Sequence, residues 1–129
     1  MNTLALTIKS ADWKSEKHVP VITLPESAKP GEAAFDVEIA VGKEIPHPNT
    51  PAHHISWIAL HFVPAGASTS IELGRAAFSA HGDSPDPARP GPAAAPVARF
   101  RVLLPGPGTL HAVAYCNLHG LWESDATIQ

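Results

Sequence analysis

Two side chains near the end of the chain could bind a metal ion or carry out nucleophilic chemistry. Cys116 is the only cysteine among 129 residues. His119 follows it at the Cys-x2-His spacing, which lets one loop supply two ligands to the same ion. A thiol beside an imidazole is also the arrangement of a cysteine nucleophile and its base. The pair alone leaves three interpretations open: a nucleophile, half of a metal site, or an inert core pair.

The distribution of the histidines favours a metal. Eight histidines occur in a chain of which only 16% is charged. Two further segments, "SEKHVP" and "IPHPNTPAHHI", place histidines at strand edges or in turns, where a β-sandwich presents functional side chains. The prolines on either side of His47 restrict the backbone and reduce the entropy that is lost when a ligand is ordered. The candidate residues in these segments are Glu16, Lys17, His18, His47, His53 and His54.

Three other histidines have weaker claims to be ligands. His61 and His111 lie inside strand patterns, and His81 lies at a strand end before Gly82. His111 precedes Cys116 by five residues of an extended run, so its side chain is predicted to face the opposite side. We expect all three to have structural roles.

The ligand types narrow the choice of metal. Structural zinc sites usually have four ligands and are rich in cysteine, whereas one thiolate accompanies several histidines here. A blue-copper site uses two histidines and one cysteine, usually with a weak axial methionine, and Met1 is the only methionine. Four imidazoles and one thiolate can form a square pyramid with the sixth position open, which suits redox-active iron better than zinc.

Composition excludes several partners. The net charge is −3, from 9 basic and 12 acidic residues without a basic cluster, so nucleic acid is not expected. A single cysteine forms no internal disulfide, and no segment reaches membrane-spanning length. The first residues show no basic region followed by an apolar run. These features predict a cytoplasmic protein without a membrane partner.

Hydrophobic alternation predicts an all-β fold. Residues 35–41 and 98–102 alternate apolar with polar or small side chains, as half-buried strands do. Residues 54–63 are more uniformly apolar, which predicts a central strand covered on both sides. Fourteen prolines and nine glycines suit tight turns in a two-sheet sandwich. The remaining strands are predicted at 19–24, 69–73, 76–80, 109–115 and 126–129.

The segment from 82 to 96 contains five prolines and has the composition of a linker. We interpret it as a long surface loop inside one domain, 1–129. The parts on either side are too short to fold alone, and candidate metal ligands lie on both sides of it.

Several segments together resemble the superoxide reductases, specifically the one-iron, neelaredoxin-type members of the desulfoferrodoxin family. The segments are "EKHVP", "VGKEIPHPNTPAHHI", "GRAAFSAHG" and "YCNLHGLWE", and they span nearly the whole chain in this order. The resemblance implies an immunoglobulin-like β-sandwich of about seven strands. The extra four-cysteine iron domain of the two-iron relatives is absent, because one cysteine cannot supply it.

The resemblance also implies a site. One mononuclear non-haem iron per chain, cycling between Fe(II) and Fe(III), would be held by four equatorial histidines and an axial thiolate. Glu16 and Lys17 occupy the family's glutamate and lysine positions; Lys17 would attract superoxide, and Glu16 would bind Fe(III) after turnover. His54 is then a neighbour and not a ligand. The implied ligands are His18, His47, His53, His119 and Cys116.

Two further hypotheses concern the surroundings of the iron. Neighbours in an extended chain point to opposite sides, so Ser15 to Lys17 is predicted to be a mobile lid that exchanges Glu16 and Lys17 between oxidation states. The backbone N–H groups of Asn117 and Leu118 are predicted to donate to the Cys116 sulfur.

The resemblance implies reduction of superoxide to hydrogen peroxide, a detoxification of reactive oxygen, with electrons from an external donor such as rubredoxin. It also implies a homodimer or homotetramer. Three alternatives stay open: a superoxide dismutase using the same iron, a cupredoxin-like electron carrier, and a metal-free or zinc-bound structural module.

Overall fold

The computed structural model describes residues 3–129, and within this range the chain forms a β-sandwich. One sheet has three strands in the order β1-β2-β5, and the other has four in the order β4-β3-β6-β7. The predicted all-β, immunoglobulin-like sandwich of about seven strands is confirmed. A short 3-10 helix, Leu4–Thr7, precedes the strands β1 (Pro20–Thr23), β2 (Phe35–Val41), β3 (Ile55–Pro64), β4 (Ile71–Ala77), β5 (Val97–Val102), β6 (Gly108–Cys116) and β7 (Gly120–Ile128).

The core lies between the two sheets and follows from the alternation of apolar residues. Along β2, Phe35, Val37 and Ile39 are buried, whereas the acidic residues between them face outward. Every second residue of β6 from Gly108 to Cys116 is buried in the same way. Burial of these faces stabilises the fold by roughly 25 cal/mol for each Å² of apolar surface removed from water.

The strand register brings several loops to one end of the sandwich. In the antiparallel pair β3–β6, Ile55 lies opposite Cys116, so the start of β3 adjoins the end of β6. Cys116 also lies opposite Gly120 in the β6–β7 hairpin. The segment before β1, the β2–β3 loop and the β6–β7 turn therefore meet at this end.

Two predicted strand boundaries are wrong. The strands expected at 69–73 and 76–80 are one strand, β4, which continues through Gly74. A side chain at Gly74 would come within 2.5 Å of the Phe100 ring, so this glycine permits close packing and does not mark a break. The last strand begins at Gly120 and not at residue 126, because the polar residues of β7 lie on its half-exposed outer face.

The strand β3 is central, as predicted, since it pairs with both β4 and β6. The expectation that both its faces are covered is only partly met. Ile58, Leu60 and Phe62 are buried, but Trp57 and His61 on the outer face are half-buried.

The Pro-rich loop 82–96 folds back on its own start. Gly82 donates its backbone N–H to Pro92 O at 3.0 Å, and His81 forms an isolated antiparallel bridge with Ala93. Strands that precede and follow this loop pair with each other in both sheets.

Among residues 3–129 there is no helix with the length and apolar character needed to span a membrane.

Candidate metal centre

Four imidazole rings form a near-square at the loop end of the sandwich. Going round the square, the ring centroids of His18 and His47, His47 and His53, His53 and His119, and His119 and His18 are 4.8, 4.8, 5.0 and 4.9 Å apart. The diagonal from His18 to His53 is longer, at 6.3 Å. Adjacent rings are inclined at 63–76° to each other, so their edges converge on a common centre.

Cys116 supplies a sulfur to the same centre. Its side chain is fully buried at the end of β6, and its Sγ lies 3.7 Å from His119 Nδ1. The Cys116 Sγ and one ring nitrogen each of His18, His47 and His53 lie within 4.8 Å of one another. The structure thus brings together all five residues whose spacing and resemblance predicted a metal site.

In His18 and His47 an oxygen atom engages one ring nitrogen, and the other nitrogen is left for a ligand. His47 Nδ1 lies 2.7 Å from Pro48 O, and His18 Nδ1 lies 2.7 Å from Glu16 Oε1. Because a carbonyl or carboxylate oxygen accepts the Nδ1 proton, the lone pair of each ring falls on Nε2. Outer hydrogen bonds of this kind usually fix the tautomer of metal-binding histidines.

Two of the inward nitrogens have no hydrogen-bond partner among residues 3–129. These atoms, His47 Nε2 and His53 Nε2, are buried. An unsatisfied buried polar atom costs about 1–3 kcal/mol, so such atoms require an explanation. His18 Nε2 and His119 Nδ1 lie only 3.2 Å apart, with at most one proton between them. A bound metal ion would satisfy all four nitrogens, so this donor set fits the metal that the sequence predicts.

Burial keeps two of these rings neutral, as metal ligation requires. Burial lowers the pKa of His47 to about 4, and the neighbouring histidines and the Lys17 charge add to this effect against the Pro48 carbonyl. Burial likewise lowers the pKa of His53, followed by repulsion from His119. The Lys17 charge makes a minor contribution to the lowered pKa of both rings.

The scan against protein-family models matches residues 10–125 to Desulfoferrodoxin. The chain belongs to the desulfoferrodoxin family. It is similar to the superoxide reductase of Pyrococcus abyssi, with 49% identity over 95% of this chain and 96% of the relative. It is also similar to the neelaredoxin of Megalodesulfovibrio gigas, with 43% identity over 93% and 92%.

A solved structure has the same fold. The superoxide reductase (neelaredoxin) of Archaeoglobus fulgidus in the reduced form is 45% identical, with a TM-score of 0.81, and the match covers 95% of this chain and 98% of that one. The predicted resemblance to the desulfoferrodoxin family is confirmed.

Glu16 lies beside the centre in this desulfoferrodoxin-family chain. Its Oε1 contacts both the ring Nδ1 of His18 at 2.7 Å and the backbone N–H of His18 at 3.2 Å. The hydrogen bond with the His18 ring is the main cause that lowers the pKa of the Glu16 carboxyl, against an opposing effect of burial. Glu16 thus acts on the outer edge of a predicted ligand, and its role as a ligand itself stays a prediction.

Two of our structural premises need correction. The segment around Glu16 is not extended, because residues 13–15 and 17–18 form turns. The predicted lid therefore cannot rest on strand alternation. The Asn117 N–H does not point at the Cys116 sulfur; it donates to His54 O at 3.1 Å. The corresponding hypothesis for the Leu118 N–H stays a prediction. Met1, considered above as an axial copper ligand, lies outside the described residues.

The remaining histidines lie outside the square. His54 is a neighbour of His53, as the resemblance implies, and its ring stacks on His81. His61 and His111 face each other across β3 and β6 on the outer side of the four-stranded sheet. His111 therefore faces away from Cys116, in agreement with the alternation of the strand.

Two supporting side chains were not predicted from the sequence. Asn117 Oδ1 accepts the His54 N–H at 2.8 Å, and Asn117 Nδ2 donates to Ala52 O at 3.0 Å. Trp122 stacks on His18 and donates from Nε1 to His119 O at 3.3 Å. Both residues lie within "YCNLHGLWE", but His18, Ala52 and His54, which they contact, are distant in sequence and gave no local signal.

Proposed function

We propose that this protein is a superoxide reductase. The reaction combines superoxide, one electron and two protons to give one hydrogen peroxide, so nothing else is consumed. The observation that carries the proposal is the square of four imidazoles beside a buried thiol, with two buried Nε2 atoms that lack any other partner in the described part of the chain. The names of the relatives from Pyrococcus abyssi and Archaeoglobus fulgidus support it.

We infer that one mononuclear iron per chain is held by the four histidines and the cysteine. Nε2 of His18, His47 and His53 and Nδ1 of His119 would be the nitrogen ligands, since the other ring nitrogen is engaged in His18 and His47. Bound iron would supply the one-electron chemistry, and the Cys116 thiolate would be its sulfur ligand. Cys116 is suited to this role because the core shields its sulfur from solvent.

Lys17 serves to attract the substrate. Superoxide is an anion and the whole chain carries a net charge of −3, so attraction must come from a local cation. The Lys17 charge contributes to the lowered pKa of both His47 and His53, and Lys17 directly precedes His18 in the chain.

Glu16 has two competing partners in this proposal. In the described conformation its carboxylate accepts a hydrogen bond from His18 Nδ1. To bind Fe(III) it would have to leave this nitrogen, which makes movement of Ser15 to Lys17 a necessary part of the lid hypothesis. We propose that the higher charge of the ferric centre drives this exchange.

The electron donor is proposed to be rubredoxin or a similar small iron protein, and the assembly a homodimer or homotetramer. We also propose a cytoplasmic location. These three proposals rest on the family resemblance and on composition.

The decisive experiment measures hydrogen peroxide formed per superoxide consumed, with iron-loaded, pre-reduced protein and no added donor. One peroxide per superoxide with a matching loss of Fe(II) is expected. Half a peroxide per superoxide with cycling iron would mean that the protein is a dismutase. No consumption above that of the zinc-loaded control, whose metal is redox-inert, would favour a carrier or structural role.

A further inference from the structure

His81 is a buried, polar side chain that the proposed reaction does not use. It is only 6% exposed and lies beyond the end of β4, outside the square of imidazoles. Each ring nitrogen faces an acceptor, with Phe78 O at 2.7 Å from Nε2 and Asn49 Oδ1 at 3.0 Å from Nδ1, and a ring with a single N–H donates to one of them at a time. Its backbone N–H donates to Asp83 Oδ1 at 3.2 Å. The position of this ring is therefore defined on every polar side.

The ring of His54 stacks on the face of the His81 ring. Their centroids are 3.6 Å apart and their planes are inclined by only 5°, which is close parallel stacking. His54 directly follows His53 in the chain, so a fixed His54 ring limits the backbone directions open to its neighbour. His54 Nδ1 also lies 2.9 Å from Thr50 O, which ties the ring back to its own loop.

The second contact of His81 reaches the other half of the same loop. Asn49 lies two residues after His47, and its Nδ2 donates to Ala94 O at 2.9 Å while its Oδ1 bonds His81. Between the two predicted ligands, Thr50 and His53 exchange backbone hydrogen bonds of 2.9 and 3.2 Å. The segment from His47 to His54 is thus a compact turn, and His81 holds it at both ends.

We propose that His81 is a positioning residue for the metal centre, and that its stack on His54 and its bond to Asn49 fix the loop that aims His47 and His53. The inference rests on the proposed iron site. The Pro-rich loop shares in this task, because Ala94 holds Asn49 and Ala93 forms a bridge with His81. The rigid neighbours reduce the conformational entropy that metal binding must otherwise remove.

The test is a double-mutant cycle on Fe(II) affinity, measured by competition with a chelator under anaerobic conditions. His81→Ala and His54→Ala are each expected to weaken Fe(II) binding by about tenfold or more, the range for residues that orient ligands. The double variant should lose much less than the product of the two single losses, because both single changes destroy the same stack. His81→Phe restores a stacking face without the hydrogen bonds and should recover part of the affinity.

The controls separate positioning from simple folding. His111→Ala removes a half-buried histidine on the outer sheet face and should leave Fe(II) affinity unchanged. A positioning role also predicts a shifted thiolate-to-iron(III) absorption band in His81→Ala, which a mere loss of stability would not produce. If His81→Ala does not fold, His54→Ala and His81→Phe carry the same comparison.

Three results would overturn the inference. These are unchanged affinity and absorption in both single variants, independent losses that multiply in the double variant, and an equal loss in His111→Ala. A wild-type protein that binds no iron would overturn the proposed centre and this inference with it. Unchanged variants of an iron-binding protein would overturn this inference alone.

Discussion

Trp122 lies flat against His18, with 4.8 Å between ring centroids and 13° between ring planes. The same indole donates from Nε1 to the carbonyl oxygen of His119, 3.3 Å away. One buried side chain of β7 therefore contacts the ring of His18 and the backbone of His119, two neighbours in the square that come from opposite ends of the chain. This relationship links the packing of the core directly to the geometry of the candidate metal centre.

Replacing Trp122 should loosen the centre more than it unfolds the protein. Trp122→Leu removes both the stack on His18 and the hydrogen bond to His119, and we expect about tenfold weaker Fe(II) binding. Trp122→Phe keeps a stacking face and should lose less. Chelator competition measures both. Trp57→Leu, on the outer sheet face, is the matched control, and an equal loss there would contradict the specific role of Trp122.

Asn117 should hold the His53 loop through its two side-chain hydrogen bonds. Asn117→Ala removes both bonds and leaves the His54 N–H without its acceptor, so the free energy of unfolding should fall by about 1–3 kcal/mol. Asn117→Asp keeps the acceptor for His54 but loses the donor to Ala52, and it should cost less. Urea unfolding of the metal-free protein checks this order, and equal stability of Asn117→Ala and wild type would refute it.

Lys17 should control the rate at which superoxide arrives. Lys17→Ala is expected to lower the second-order rate constant by roughly tenfold and to flatten its dependence on ionic strength, because the local attraction is lost. Lys17→Arg should retain most of the rate. Pulse radiolysis at several salt concentrations measures both effects.

The control for the half-buried Lys17 is the exposed Lys29. Lys29→Ala removes the same charge from the loop between β1 and β2, at the far end of the sandwich. A similar slowing in Lys29→Ala would show that net charge matters and that the position of Lys17 does not.

Glu16 should affect the two oxidation states differently if it exchanges partners. Glu16→Ala is expected to shift the absorption spectrum of the ferric protein, because a carboxylate ligand is lost. It should weaken Fe(II) binding only modestly, through loss of the hydrogen bond to His18. Glu16→Gln retains an oxygen acceptor for His18 without the charge. Its Fe(II) affinity should be close to that of the wild type, and its ferric spectrum should be shifted as in Glu16→Ala. If the ferric spectrum is unchanged in both variants, Glu16 does not bind the ferric iron and its role is limited to the hydrogen bond with His18.

The metal-free protein should lose stability as the pH falls from about 6.5 to about 4. Burial lowers the pKa of His47 to about 4, so the unfolded chain binds this proton more tightly than the folded one. The free energy of unfolding should therefore be fully retained above the unfolded pKa and decline as the pH falls toward the folded pKa. The lowered pKa values of His53 and Glu16 act in the same direction.

Urea unfolding of chelator-treated protein across this pH range checks the prediction. His47→Gln cannot be protonated and should reduce the slope. A wild-type stability that stays constant or rises toward pH 4 would contradict the assigned cause.

The amino-acid sequence by itself determined which residue types are available and where the local structure changes. Alternation in β2 and β5 predicted half-buried strands, and the prolines flanking His47 marked a constrained ligand loop. The segments around His18, His47 and Cys116 carried the family resemblance, because these motifs are local in the chain. The boundaries of β4 and β7 were wrong, since Gly74 is explained by packing against Phe100 and the polar residues of β7 by an open sheet face.

Only the tertiary structure decided how the segments meet. The register of β3 against β6 places Ile55 opposite Cys116 and so brings the His53 loop to the sulfur. Contacts between residues distant in the chain are made by the side chains of Trp122, Asn117 and His81. The largest separation, between His18 and Trp122, is 104 positions. Local periodicity reports only which face of a strand is buried. It carries no information on which distant strand will cover that face, because this depends on long-range pairing and packing of the whole sandwich.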